Sequence, residues 1–483
     1  MNDKIEVNGN LLKLSNSQEQ ALVKLKEWYE SKSLIFTLYG PAGTGKTTLI
    51  NKFIKEIVRQ PLCVTAPTHK ATRVVEKITG RHGRTLQSLH GLRPNFNFEK
   101  FNIDNIRFET MGNIYMANYK LVIVDECSQI NRELQELNEL RSSQFSTKIL
   151  YVGDRLQLPP VNQRESGTFN IKDKFELTDI VRQKDSNPLL TILDSLRVDM
   201  VSDKSNFIRA VKNKPININS KGEGYALYDP FLFKQELIKS FSSEDFKKDV
   251  DFCRYAAWTN NSVLSWNKFI RNTVLHKSKE LIDEGDLLTG YRTIVDEYNT
   301  PIIVNSEDYR VKELEVSKTD YGFIVYKTHI LNISDYSENI ISILKHDDKD
   351  SFGKYYKVLQ ELHENAIYAA PNERGKKWRE YYRFKDRYLS LTVIPLRNTS
   401  NITEIKATVP KDIDYGYGLT VHKLQGSTIE NIYINLKDIY YYSSGVGELI
   451  KNTPKNPYAI ETRNKLIYTG ISRASKKVII LFE

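Results

Sequence analysis

Gly40-Pro-Ala-Gly-Thr-Gly45-Lys46-Thr47 lies between a short apolar run, Leu34 to Tyr39, and a segment with apolar residues at helical spacing: Leu49, Ile50, Phe53, Ile54 and Ile57. Strand, glycine loop and helix, in that order, is the context in which this pattern binds phosphate. The glycines let successive N–H groups curl toward an anion at a helix start, where the helix dipole favours negative charge. The pattern therefore predicts that Gly40, Pro41, Ala42, Gly43, Thr44, Gly45, Lys46, Thr47 and Thr48 cradle the phosphates of a nucleotide such as ATP. Lys46 is expected on the β- and γ-phosphates and the Thr47 hydroxyl on Mg²⁺. Further on, Leu121-Val-Ile-Val124 reads as a buried strand and ends in Asp125-Glu126. In a parallel sheet such a pair is expected beside the loop, with Asp125 on Mg²⁺ and Glu126 polarising the attacking water.

Around these segments the chain reads as an ordinary globular protein. Its 483 residues are too many for one core and imply two to four folding units. Hydrophobic residues make up 40% and charged residues 27%, which excludes a disordered chain. The net charge of +10 is compatible with simple solubility or with a surface that tracks a phosphate backbone. Cys63, Cys127 and Cys253 are too far apart for a disulfide framework or a zinc site, which suits a reducing compartment. The opening MNDKIEVNGNLLKL lacks an apolar core of signal-peptide length, and no run approaches the roughly 18 apolar residues of a membrane span. The expectation is a cytoplasmic protein without membrane contact, in a cell's own cytoplasm or in that of a phage host.

Further motifs extend from residue 14 to residue 474. Leu14-Ser-Asn-Ser-Gln18-Glu-Gln-Ala21 starts an amphipathic helix; Ser15 and Gln18 fit a capping box, and the Gln18 amide could instead read an adenine edge. Ala66-Pro67-Thr68-His69-Lys70-Ala71, Thr85-Leu-Gln-Ser88-Leu89, and Gly153-Asp154-Arg155-Leu156-Gln157-Leu158-Pro159-Pro160-Val161 follow in the first half. Leu177-Thr-Asp-Ile-Val-Arg182-Gln183, Ala257-Trp258-Thr259-Asn260, Gly418-Leu-Thr420-Val-His422-Lys423-Leu-Gln425-Gly426-Ser427-Thr428 and Tyr468-Thr469-Gly470-Ile471-Ser472-Arg473-Ala474 lie in the second. In this order the segments resemble the motif set of superfamily-one helicases, most nearly the RecD- and Dda-like branch. One departure is Gln87, where relatives often carry His.

That resemblance implies an α/β fold with two RecA-like P-loop NTPase domains, a small β-barrel-like domain inserted in the second and a β-hairpin inserted in the first. It implies ATP and Mg²⁺ as cofactors. Gln157 becomes the γ-phosphate sensor, and Arg182 and Arg473 become arginines that reach the γ-phosphate from the second domain. Single-stranded nucleic acid would meet Pro67, Thr68, His69, Lys70, Thr85, Ser88, Thr259, Asn260, Thr420, His422 and Lys423. The implied activity is unwinding of DNA by a monomer that moves 5′ to 3′ on single strands at a fork. Translocation that strips proteins without unwinding, an RNA track, and a nucleotide-gated binding module with a vestigial ATPase are the alternatives.

Domain limits follow from the motif positions. The first motor domain is expected over 1–178, the second over 179–280 and 408–483, and the insert over 281–407. Short alternating segments at Pro301–Val304 and Gly322–Tyr326 suggest the barrel. Within the insert, Arg374 to Arg387 reads RGKKWREYYRFKDR, with seven basic and four aromatic residues. Trp378, Tyr381 and Tyr382 at i, i+3 and i+4 suit packing against a neighbouring domain, while the basic interleaving suits base stacking and phosphate binding. Asn95–Phe98 and Ile106–Glu109 alternate with period two. They predict a hairpin over about 93–118, either buried or a strand-separating pin. Ile439 to Tyr458 reads as a long loop.

Replacing Lys46 by Ala is expected to abolish nucleotide turnover, because it removes the charge paired with the γ-phosphate. Glu126→Gln should keep nucleotide binding and slow hydrolysis severely. Phosphate release measured beside equilibrium nucleotide binding separates the two, and near-normal turnover in Glu126→Gln would remove that residue from the mechanism.

Overall fold

The computed structural model describes residues 4–7, 10–94, 108–160, 163–180, 187–200, 205–296, 300–392, 394–395, 408–443 and 457–482. The chain divides into two units. One comprises Met1–Gly91, Gly112–Trp266 and Gly418–Glu483; the other comprises Leu92–Met111 and Asn267–Tyr417.

The larger unit holds two six-stranded sheets. In the first, the strand order is Lys174–Glu176, Ile35–Tyr39, Lys148–Gly153, Leu121–Val124, Leu62–Ala66, Gly83–Thr85, and every neighbouring pair is parallel. A parallel sheet covered on both faces needs apolar residues at consecutive positions, and Leu121–Val124 is buried throughout. Alternate side chains serve different layers. Leu121, Ile123, Leu150 and Val152 pack with Leu22, Leu49 and Phe53, whereas Val122, Val124, Ile149 and Tyr151 pack with Leu86, Met116 and Phe169.

The second sheet runs Ile216–Ile218, Gly224–Tyr228, Ala474–Leu481, Ile429–Asn435, Cys253–Ala257, Gly418–Thr420. Only its edge strand Ile216–Ile218 is antiparallel to its neighbour. The two sheets are joined within this unit. Leu158, from the segment after Lys148–Gly153, is buried in the core of the second sheet with Leu193, Leu424 and Ile467. Burying a leucine side chain contributes about 1.5–3 kcal/mol.

The smaller unit is built on an antiparallel sheet in the order Glu338–Leu344, Ile324–Asn332, Asp308–Lys318, Leu287–Gly290, Ile413–Tyr415. Bridges from Ile343 to Leu389 and from Leu391 to Ile413 join its two edges, so the sheet closes in the manner of a small barrel. Ile413–Tyr415 pairs with Leu287–Gly290, so the barrel continues past the expected limit at 407, and this unit ends at Tyr417 rather than there. It also begins at Asn267, ahead of the expected 281. The helices Lys349–Ile367 and Pro371–Arg387 pack on one another, and Trp378, Tyr381 and Phe384 are buried among Phe323, Tyr355 and Leu359. These aromatic residues therefore fill their own unit's core and do not form a base-stacking face.

Two further expectations change. The hairpin stem pairs Leu92–Pro94 with Phe108–Thr110, so its first strand includes residues before Asn95, while 95–107, with the segment Asn95–Phe98 and the tip, lie outside the described residues. The expected loop at 439–458 begins within a helix, Leu436–Ser443, and ends within another, Pro457–Ser472; 444–456 lie outside the described residues.

A buried histidine is expected to make the first sheet sensitive to acid. His90 follows the helix Leu86–Leu89 and is fully buried. Its Nε2 lies 2.5 Å from Asn138 Oδ1, and its carbonyl accepts from Arg141 Nη1 at 2.7 Å. Burial, aided by Arg141 and opposed by the Asn138 bond, pushes its pKa down to about 4. Because the folded pKa lies below the unfolded one, the neutral ring's contribution is complete above about 6.5 and lost as pH falls toward 4. That loss amounts to roughly 3 kcal/mol. Denaturant titrations of the parent and His90→Gln between those pH values should diverge by that order, with the variant the less pH-dependent.

Candidate active site

Three loops leave the carboxyl ends of neighbouring strands in the first sheet. Gly40–Gly45 follows Ile35–Tyr39, Asp125 follows Leu121–Val124, and Asp154 follows Lys148–Gly153. The pair lies beside the loop as expected, close enough for the Lys46 charge to act on Asp125, although the strand Lys148–Gly153 runs between the two strands that carry them. Gly40 N–H donates to Gly153 O at 3.1 Å, which ties the loop to that central strand.

The glycine loop has the conformation its sequence requires. Gly43 and Gly45 hold φ of +90° and +73°, and Gly45 is the N-cap of the helix Lys46–Glu56. A Cβ on Gly40 would meet Leu177 O at 2.6 Å. Lys46 Nζ donates to Gly40 O at 2.6 Å and Pro41 O at 3.0 Å, and Thr44 Oγ1 donates to Pro41 O at 2.9 Å. Thr47 and Thr48 stand in the first turn of the helix. Gln18 joins the loop, but through bonds already within the protein. Its Oε1 accepts from Ser15 N–H at 3.0 Å in a complete capping box, and its Nε2 donates to Thr44 O at 3.1 Å.

Asp125 and Glu126 occupy contrasting positions. Asp125 Oδ1 accepts from Glu126 N–H at 2.9 Å. Burial raises the Asp125 pKa to about 6, and the Glu126 charge adds to it; the Glu126 N–H, Lys46 and Arg473 oppose the rise. Glu126 sits in the left-handed region at φ +50°, a conformation that costs of order 1 kcal/mol in a residue with a side chain. Its Oε1 accepts from Arg473 Nη1 at 3.1 Å, so a guanidinium from the second sheet's side meets a carboxylate on the first.

The motif around Gln157 is also held by the second sheet. Tyr468 Oη donates to Asp154 Oδ2 at 2.8 Å and accepts from Ala42 N–H at 2.8 Å. Leu158 N–H donates to Thr469 Oγ1 at 3.1 Å, and Gln425 Nε2 donates to Leu158 O at 3.4 Å. Gln157 Oε1 and Arg473 Nε are buried without a hydrogen-bond partner. Arg182 lies outside the described residues. Arg197, on the helix Leu189–Asp199, donates from Nη2 to Ala42 O at 2.8 Å. Sequence reasoning passed over Arg197, which sits in no motif, and Tyr468, whose motif drew attention to Arg473.

The remaining predicted residues gather on adjacent strands at one edge of each sheet. Thr68 caps the helix His69–Thr79 and accepts from Ala71 N–H at 3.2 Å. Thr85 accepts from Ser88 N–H and Thr420 from Lys423 N–H, each at 3.3 Å. Pro67 precedes the first of these caps and His422 lies within the short helix after Thr420. Thr259 is committed differently: its hydroxyl donates to Asp438 Oδ1 at 2.6 Å and accepts from Ser262 N–H, while Asn260 begins the following helix. Burial lowers the pKa of His69, with Arg73 adding and Glu76 opposing, and burial alone lowers that of His422. Lys70 pairs with Asp251 at 3.6 Å. A Cβ on Gly426, at φ +77°, would come within 2.9 Å of Ala71 Cβ, so these loops of the two sheets touch.

No helix among the described residues is long and apolar enough to cross a membrane. The family model described as an AAA domain matches residues 13–213. The chain is similar to the ATP-dependent DNA helicase dda of Enterobacteria phage T4, with 23% identity across 95% of this chain and 97% of that one. It is also similar to the ATP-dependent DNA helicase Pif1 of Campylobacter jejuni, with 24% identity across 89% of each. A solved structure described as DNA unwinding at forked duplex by two coordinating Pif1 helicases covers 97% of this chain and 92% of its own, with TM-score 0.49 and 15% identity. With the motif set in order from residue 14 to residue 474, the chain is similar to superfamily-one helicases of the group of RecD, Pif1 and Dda.

Proposed function

We infer that the chain is an ATP-dependent DNA helicase that translocates on single-stranded DNA, 5′ to 3′, and opens duplex at a fork as a monomer. The observation that carries this reading is the Arg473–Glu126 contact, in which the second sheet's side completes a nucleotide cleft built on the first. The residues present fit a nucleotide. The loop turns through left-handed glycines at a helix N-terminus, Lys46 opens that helix, and Gln157 and Arg473 keep buried polar atoms unmatched.

ATP with Mg²⁺ supplies a phosphoanhydride bond whose cleavage is strongly favourable. Lys46, the loop N–H groups and Thr48 would hold its phosphates, Thr47 and Asp125 would hold Mg²⁺, and Gln18 would meet the base by exchanging one of its present bonds. Glu126 polarises the attacking water, and Arg473 is one of the contacts that hold its strained conformation. Arg473 and Arg182 neutralise charge that develops on the γ-phosphoryl oxygens, and Gln157 orients the same region. Pro67, Thr68, His69, Lys70, Thr85 and Ser88 on one sheet, and Thr259, Asn260, Thr420, His422 and Lys423 on the other, form two grips on one strand. Support comes from the threonine-capped helix starts at adjacent strand ends and from the contact of Gly426 with Ala71. Opening and closing of the nucleotide cleft changes the spacing of the grips, which is how hydrolysis moves the chain.

The deciding experiment measures ATP turnover with single-stranded DNA or RNA, then unwinding of 5′-tailed and 3′-tailed duplexes. DNA-stimulated turnover with unwinding of only the 5′-tailed duplex is expected; unwinding of only the 3′-tailed duplex would reverse the assigned polarity, and turnover indifferent to either polymer would end the motor reading. Arg473→Ala should lower kcat by about 10³-fold or more while the KM for ATP changes little. A rise in KM at constant kcat would make Arg473 a ground-state contact. Affinity for single-stranded DNA should fall steeply between about 50 and about 200 mM salt, because bound cations are released from phosphate. A flat salt dependence in equilibrium binding would rule out backbone tracking.

A further inference from the structure

Ala42 is held differently from its neighbours in the glycine loop. The Gly40 and Pro41 carbonyls are held from within the first sheet's own segment, by Lys46 and Thr44. Ala42 is held at both ends from beyond the cleft. Its N–H donates to the Tyr468 phenol, and its carbonyl accepts from Arg197. Both bonds measure 2.8 Å. The donors and acceptors come from two helices, Leu189–Asp199 and Pro457–Ser472, that belong to the second sheet's core.

The next residue explains why such a hold matters. Gly43 adopts φ +90°, where glycine is free to rotate and other residues are not. The peptide between Ala42 and Gly43 can therefore turn over at little backbone cost unless its carbonyl is fixed. Arg197 fixes it, and is itself braced by an ion pair with Asp194. Tyr468 is fully buried, and its hydroxyl joins Ala42 to the Asp154 carboxylate, which is 1% exposed. Asp154 in turn accepts from Leu156 N–H at 3.0 Å through its side chain and from Gln157 N–H at 3.2 Å through its carbonyl. One phenol thus connects the glycine loop to the turn that carries Gln157.

We propose that Arg197 and Tyr468 are positioning residues that clamp Ala42, so that the reactive conformation of the glycine loop, and its alignment with the Gln157 turn, exist only while the second motor domain is docked. The proposal rests on the nucleotide-cleft reading above. Each acts through the main chain of Ala42. The consequence is that opening of the cleft releases the loop itself as well as withdrawing Arg473, which couples domain motion to the hydrolytic geometry by a second route.

The test uses the full chain at saturating single-stranded DNA, with Tyr468→Phe, Arg197→Ala, Arg197→Lys and the control Lys46→Ala. Tyr468→Phe removes only the hydroxyl, and Arg197→Lys keeps one donor for the Ala42 carbonyl. Tyr468→Phe and Arg197→Ala should each lower kcat about tenfold, while the KM for ATP moves less than about threefold. Arg197→Lys should recover most of the loss, and the thermal midpoints should stay near the parent's. Should Tyr468→Phe lack a cooperative unfolding transition, the Arg197 pair decides alone. The clamp is overturned if Arg197→Lys is no better than Arg197→Ala, or if KM rises while kcat holds. If Lys46→Ala is inactive and the clamp variants match the parent, the clamp alone fails. If Lys46→Ala turns over ATP normally, the cleft reading fails, and the clamp with it.

Discussion

Parallel pairing brings the carboxyl ends of all strands in a sheet to one rim, and the chemistry of this protein depends on that constraint. In the first sheet the rim gathers the glycine loop, Asp125-Glu126 and Asp154 from segments spread between residues 40 and 154. The adjacent edge strands Leu62–Ala66 and Gly83–Thr85 deliver Thr68 and Thr85 to the same rim. One sheet therefore presents the glycine-loop cleft and, beside it, the threonine-capped helix starts proposed to grip a strand. Coupling between them needs no long path through the protein; it needs only a partner that touches both.

The second sheet's side touches the first through an apolar contact and several polar ones. Leu158 buried beside Leu424 and Ile467 is a hydrophobic anchor, strong and indifferent to angle. Arg473 on Glu126, Tyr468 on Asp154 and Arg197 on Ala42 are directional, and each is lost with a small displacement. The Glu126 conformation fits this division. A left-handed glutamate is kept only where surrounding contacts over-determine it, and here Arg473 is one of those contacts.

The smaller unit solves a different problem. Its pair of long helices packs an apolar face onto the closed antiparallel sheet, burying Phe323, Val325 and Leu344. Trp378, Tyr381 and Phe384 lie on one face of a helix rich in basic residues at its other positions. Basic and aromatic residues in alternation therefore mark an amphipathic helix here, with the aromatic face turned inward and most of the charge outward, Lys385 being the buried exception.

Local spacing determined much of the nucleotide cleft. A glycine loop between a strand and a helix, and a carboxylate pair after an apolar run, are recognisable because backbone sterics and burial act over a few residues. The same holds for the threonine caps, since a cap and the N–H it accepts are three positions apart. Tertiary structure decided what distance in sequence hides. Ile413–Tyr415 belongs to the barrel because its partner strand lies at Leu287–Gly290, which no local pattern reveals. Gln18 spends its amide on Ser15 and Thr44, and Thr259 spends its hydroxyl on Asp438, although both sit in recognisable motifs. Arg197 had no motif at all. Its role comes from a carbonyl 155 positions away, and a hydrogen bond of that reach exists only once packing has brought the two helices and the loop together.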